Sequence, residues 1–166
     1  MGNALEKLYA DHGKMRLQLQ FLDAEVTRRR KREVSDLELL RSTMNDTIMF
    51  QNLIHHPKED LVYARLLQRD PASVDAILDV LTDHAQLAIV SRRFIIALSD
   101  MATGVKLPRG RFDQLFSEFV TAVQVHMNRE ESEFFPRAAD RLTDVDWCEI
   151  DATIERIKGR EITAKV

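Results

Sequence analysis

Apolar residues recur along most of this chain at intervals of three and four, the period of a helix with one buried face. The first stripe is Leu5, Leu8, His12, Met15, Leu19, Leu22 and Val26. It fades into Arg28-Arg29-Arg30-Lys31-Arg32, which reads as a solvated helix end. Ser35 and Glu38 have capping-box spacing and predict the start of a second helix. Its stripe is Leu37, Leu40, Met44, Ile48, Gln51, His55, Glu59, Val62 and Leu66. Pro57 sits inside it, removes one backbone donor and predicts a local kink.

Asp70-Pro71 predicts the third start, with an acceptor at the cap and proline in the first turn. Ile77, Leu81, His84, Ala88, Ser91, Ile95 and Leu98 share one face, and Gly104 and Pro108 mark the break. The fourth stripe is Phe112, Phe116, Phe119, Val123, His126, Glu130 and Phe134. No segment alternates with the period of a strand. The pattern predicts an all-α fold, an up-down-up-down four-helix bundle over about residues 4–140. Thr143 restarts a shorter helix, to about 158, carrying Trp147, Ile150, Ile154 and Ile157. We expect one domain over 1–166.

Composition narrows the function classes. With 45% hydrophobic and 31% charged residues, wholesale disorder is excluded. A formal charge of −3 argues against a nucleic-acid partner bound by bulk charge. Cys148 is the single cysteine, which excludes an internal disulfide and cysteine-rich metal sites; beside Trp147 it reads as a packed thiol. No apolar run has transmembrane length and the opening residues are too polar for a signal peptide, so no membrane association and a cytoplasmic location are expected. Met-Gly at the start suggests myristoylation, but Glu6 stands where Ser or Thr is wanted. Asn45-Asp46-Thr47 is a sequon without meaning unless the chain is secreted.

The chemistry lies where polar residues interrupt the stripes. His12, His55, His84 and His126 each take a core position, and Glu59 and Glu130 follow two of them four residues later. That spacing places both side chains on one face, a turn apart. The arrangement repeats: His12 to His55 is 43 residues and His84 to His126 is 42. Such groups in a dry core are costly unless paired or coordinated, and nitrogen and oxygen donors suit iron, manganese or zinc. His56 lies on the neighbouring stripe Met49, Leu53, His56, Asp60, Tyr63 and could replace or join His55; the repeat favours His55. Asp11, Asp60, Asp83 and Glu131 flank the histidines as candidate orienting acceptors or plain surface acids. Tyr63 and Phe134-Phe135 could wall a ligand pocket, or simply pack. Met15, Met44, Met49 and Met127 read as gap-fillers.

His12, His55-His56-Pro57-Lys58-Glu59-Asp60, His84, and His126 to Glu131 with Phe134-Phe135-Pro136 together resemble the hemerythrin-like HHE cation-binding domain. The resemblance implies a bundle holding two non-haem iron ions joined by an oxo or hydroxo bridge. Its ligands would be His12, His55, Glu59, His84, His126 and Glu130, with both glutamates bridging. His56, Asp60 and Glu131 are further candidates as ligands or orienting groups, and Tyr63 and Phe134 as pocket walls. Oxygen-carrying hemerythrins have a second histidine one turn after the first on the third helix, where this chain has Ala88. That departure points to the branch that senses or handles O2, nitric oxide, peroxide or iron. The cysteine-bearing N-terminal module of iron–sulfur repair members is absent from this sequence. The implied partner is a diatomic ligand or peroxide, with the protein partner unknown. An enzyme reducing peroxide or nitric oxide, or an iron store, are the alternatives.

Overall fold

The computed structural model describes residues 3–31, 33 and 36–163. It is an all-helical bundle, with no strand among the described residues. α1 spans Asn3–Arg30, α2 Leu37–Phe50 and α3 His56–Arg69; a π-helical turn, Gln51–His55, joins the last two into one column. A 3₁₀ turn, Pro71–Ser73, leads into α4, Val74–Ala102. α5, Arg111–Arg129, continues through a second π turn, Glu130–Phe134, into α6, Phe135–Arg141. α7, Asp144–Thr163, packs on α1 and α3.

Local chemistry explains the boundaries. Asp36 caps α2, its carboxylate accepting from the backbone of Glu38 and Leu39 at 2.9 and 3.0 Å. Ser35 of the anticipated capping box lies outside the described residues, and Glu38 accepts from Arg41. Asp70 takes the Ser73 hydroxyl at 2.9 Å within the 3₁₀ turn, so α4 begins three residues later than Pro71 suggested. At the far end of α4, Gly104 at φ +88° lets its own amide reach Met101 and that of Val105 reach Asp100. This pair of bonds is the Schellman closure that a left-handed residue permits.

Both π turns sit just ahead of a proline, Pro57 and Pro136. A proline ring collides with the carbonyl four residues earlier in a regular helix. Widening the preceding turn relieves this: the amides of His56 and Phe135 bond five residues back, to Gln51 and Glu130. The kink expected at Pro57 thus takes the form of an inserted residue.

The core forms two clusters. One gathers Met15, Leu22, Met44, Leu87, Phe94 and Phe119, the other Leu5, Leu8, Val62, Val80, Phe134 and Trp147, among others. The first, second and fourth stripes are buried or half-buried throughout. The third is so only in part: Ile77, Ser91 and Leu98 are buried and His84 and Ile95 half-buried, whereas Leu81 and Ala88 are exposed and Val80 and Leu87 are buried instead. Met49 and Cys148 are also exposed, contrary to their reading as packed residues, while Met15, Met44 and Met127 are buried. Arg28 and Arg30 pair with Glu25 and Asp113, and Arg29 stacks over Phe112; Arg32 lies outside the described residues.

Thr143 and Asp146 form a reciprocal cap at the start of α7. The Asp146 carboxylate accepts the Thr143 amide at 2.9 Å, and the Thr143 hydroxyl accepts the Asp146 amide at 3.3 Å. Buried Asp146 also holds Arg65 at 3.2 Å and Arg69 at 2.9 Å, tying α7 to α3. The Arg69 guanidinium, against the opposing effect of burial and aided by Thr143, holds this carboxyl below its ordinary range. Asp146→Ala should lower stability by about 2 kcal/mol at pH 7, read from urea unfolding. A depressed folded pKa contributes above the unfolded value of about 3.9 and is lost as pH falls through the folded value. The gap between wild type and variant should therefore narrow below about pH 4.

Candidate metal centre

All five histidines of the chain converge between the two apolar clusters. His12 lies between Leu8 and Met15 on α1, His84 between Val80 and Leu87 on α4, and His126 follows Val123 on α5. The second column supplies two neighbours at once, His55 and His56. Adjacent residues of an α-helix point about 100° apart. The π turn ending at His55 adds a residue to the wall, and both imidazoles reach the centre.

Their donor atoms fall into two groups, each with its atoms within 4.8 Å of one another. One group is His12, His55, Glu59 and Glu130, all buried; the other is His56, Glu59, His84 and His126. Glu59 belongs to both: its Oε1 is 2.8 Å from His55 Nε2 and its Oε2 is 3.3 Å from His84 Nε2. Glu130 also reaches across, with Oε2 3.1 Å from His12 Nε2 and 3.4 Å from His126 Nε2. His12 Nε2 and His55 Nε2 stand 3.1 Å apart, both turned inward.

Orienting contacts surround these donors unevenly. Glu131 Oε1 lies 2.7 Å from His12 Nδ1 and is itself held by Arg16. A proton on Nδ1 is thereby favoured, which leaves the Nε2 lone pair facing the centre. Asp11, buried and bonded to Lys58, faces His55 Nδ1 at 3.5 Å. Tyr63 donates its hydroxyl to Glu130 Oε1 at 3.0 Å and packs edge-on to Phe134. Asp83 does not orient a histidine; it pairs with Arg129 at 2.7 Å. Asp60 is exposed and stands outside both groups.

Several of these buried atoms, close as some lie to one another, make no well-aligned hydrogen bond: both oxygens of Glu59, Glu130 Oε2, His56 Nε2, His84 Nε2 and both nitrogens of His126. Unsatisfied polar atoms at such depth are expensive, each costing roughly 1–3 kcal/mol. A cluster of them all pointing to one place fits metal ions as the missing partners. Protonation agrees. Burial, then the His84 charge, lowers His56 to about 3. Burial, with neighbouring histidines overriding the pull of Glu59, lowers His126 to about 3. Neutral imidazoles are the form that binds metal. Burial works against ionised Glu59, but the charge on His55 and the close approach of the His55 and His84 imidazoles hold it well below the ordinary carboxyl range. Burial and the Glu59 charge push Glu130 well above it.

The comparisons now bear on a defined site. The profile of the hemerythrin HHE cation binding domain matches residues 3–138. The chain belongs to that family. No match is found among curated proteins or solved structures. The match covers every histidine and glutamate gathered at the centre, and the two His/Glu groups could each hold a cation.

Sequence reasoning underweighted His56, which the structure brings in beside His55 rather than in place of it. Pro57 was the available signal, since a proline within a helix predicts a disturbed register.

The two halves differ in access. The His12 and His55 side chains are fully buried, whereas that of His84 is 14% exposed. His56 and His84 border a groove of about 520 Å³ between α2 and α4, lined also by Gln51, Ala88 and Ser91. Among the described residues no helix is long and apolar enough to cross a membrane.

His126→Leu tests whether the centre is built for an ion. In the presence of a chelator the variant should be more stable than wild type, by about 1–3 kcal/mol, because an unpartnered imidazole is replaced by an apolar side chain. Added Fe(II) or Zn(II) should raise the wild-type melting temperature and leave the variant nearly unmoved. A destabilised metal-free variant would mean that the imidazole serves the fold itself.

Proposed function

We propose that this HHE domain holds two iron ions, one in each His/Glu group, and binds or senses O2 or a related small ligand such as nitric oxide or peroxide. The observation that carries this reading is Glu59, whose two oxygens face the imidazoles of different groups. In it, His12 and His55 hold one ion, His56, His84 and His126 the other, and Glu59 and Glu130 join them. Iron would supply reversible redox chemistry at coordination positions the protein leaves open. Manganese or zinc would suit the same donors.

The chain's own residues then divide the work. Buried His12, fixed by Glu131, and His55, faced by Asp11, make one half a closed holder. The groove beside His56 and His84 gives the other half its route for an entering ligand. Ala88, also on the groove, provides no donor atom and keeps that side clear. Tyr63 steadies Glu130 through its hydroxyl and walls the centre together with Phe134.

This reading takes the four helical columns as running up, down, up and down. His12 near the start of α1 meets Glu131 beyond the end of α5, and Arg30 at the end of α1 meets Asp113 at the start of α5, which supports opposite directions for those two. The chain is taken as one domain, working in the cytoplasm.

A second reading, reduction of peroxide or nitric oxide, rests on one feature. Tyr63 places a hydroxyl, held by Glu130, against the centre, where reduction would consume protons.

Reconstitution with Fe(II) under anaerobic conditions tests both readings. Wild type should take up two irons per chain, and its optical spectrum should change on adding O2 or nitric oxide. Glu59→Ala should lose most of the iron, whereas Tyr63→Phe should keep the iron and the spectral response. Turnover of peroxide above that of free iron, lost in Tyr63→Phe, would favour the enzyme. A spectrum indifferent to every ligand would overturn both.

A further inference from the structure

α4 breaks the rule that a surface helix is apolar on one side only. Its inner face, with Val80, Leu87 and Phe94, lies in the core. Its outer face carries Val74, Leu78, Leu81, Ile89 and Ile96 at 42, 53, 41, 48 and 50% exposure. Exposed Ala85 fills the middle of the same stripe. The stripe runs about 33 Å along the helix. It presents roughly 400 Å² of apolar surface on one face, in the range where patches mark interaction sites. The metal centre makes no use of it.

We propose that this face is the interface of a symmetric homodimer, in which α4 packs antiparallel on α4 of a second copy with the two helices crossing at Ala85. The pattern is self-complementary about that residue, as a two-fold interface requires. Leu81 meets Ile89 of the partner subunit, Val74 meets Ile96 of the partner subunit, and Leu78 meets the aliphatic stem of the partner's Arg92. A small side chain at the crossing lets the backbones approach.

The charges agree with this direction. Asp75 and Arg93 lie on one flank of the stripe, near opposite ends of α4, and both are exposed. Among the described residues neither has an ion-pair partner within the chain. Antiparallel packing sets Asp75 beside the partner's Arg93, twice over, whereas symmetric parallel packing would leave the two on opposite sides of the seam. Two copies facing each other would remove about 800 Å² of apolar surface, which with the rim approaches the lower bound of specific interfaces. A membrane surface is the poorer occupant, because Asp75 and Asp79 flank the stripe where a lipid-bound helix carries lysine and arginine. Ala85 and Arg92 also line the groove beside His84, so the partner helix would run along its mouth.

Sedimentation equilibrium on the full metal-free chain, with chelator present, tests the interface independently of the metal reading. Wild type should dimerise with a Kd of about 1–100 µM. Leu81→Glu with Ile89→Glu should be monomeric, with an unchanged circular dichroism spectrum. Asp75→Arg and Arg93→Asp should each weaken the dimer at least about fivefold, and the two together should restore it. The charge swap lies on the exposed rim and decides the matter even if the double glutamate variant fails to fold. A wild type that stays monomeric at about 500 µM, with or without binding to vesicles, overturns the proposal. So does a dimer that ignores the glutamates, or a charge swap that does not restore association.

Discussion

A layer of five imidazoles and two carboxylates, buried or half-buried across the middle of a helical bundle, is the constraint from which the rest follows. Apolar packing above and below it would be cheaper if the layer were apolar too. Instead the chain divides its core into two clusters and leaves several oxygens and nitrogens between them without partners. Ions from outside would supply the missing partners and offset that cost, since the nearby side chains already have other bonds. Asp11 is bonded to Lys58, Asp83 to Arg129 and Glu131 to Arg16.

Placing seven donors in one layer is a problem of register. α1 and α4 each bring one histidine by ordinary helical period. The second and fourth columns bring more, and there the helix is widened. In both columns a proline two residues past the π turn enforces the extra residue. His55 and His56 then reach different donor groups, and consecutive Phe134 and Phe135 are both fully buried. Backbone geometry that looks like a defect in a helix thus sets the composition of the site.

Most of this was legible because burial and helical period are the same signal wherever the helix is regular. His12, His84, His126 and the two glutamates interrupt apolar stripes, and a polar residue in such a stripe stands out. Two things were hidden. A period of 3.6 cannot see a π turn, so whether His56 replaces His55 or joins it stayed open, although Pro57 carried the warning. The phase of α4 was read slightly off because that helix carries apolar residues on two faces. Leu81 and Ala88 fit a stripe as well as Val80 and Leu87 do, and only packing against α2 and α5 chooses. The cap of α2 fell to Asp36 rather than Ser35, a shift of one residue that helix ends commonly show.

The central claim is that Glu59 stands between two ions rather than beside one. Anomalous diffraction from crystals grown with iron, or with zinc in its place, measures this directly. The account predicts two peaks per chain, roughly 3.5–4 Å apart, with the Glu59 carboxylate spanning them, His12 and His55 on one and His56, His84 and His126 on the other. A single peak, or two peaks that Glu59 does not touch, would contradict it.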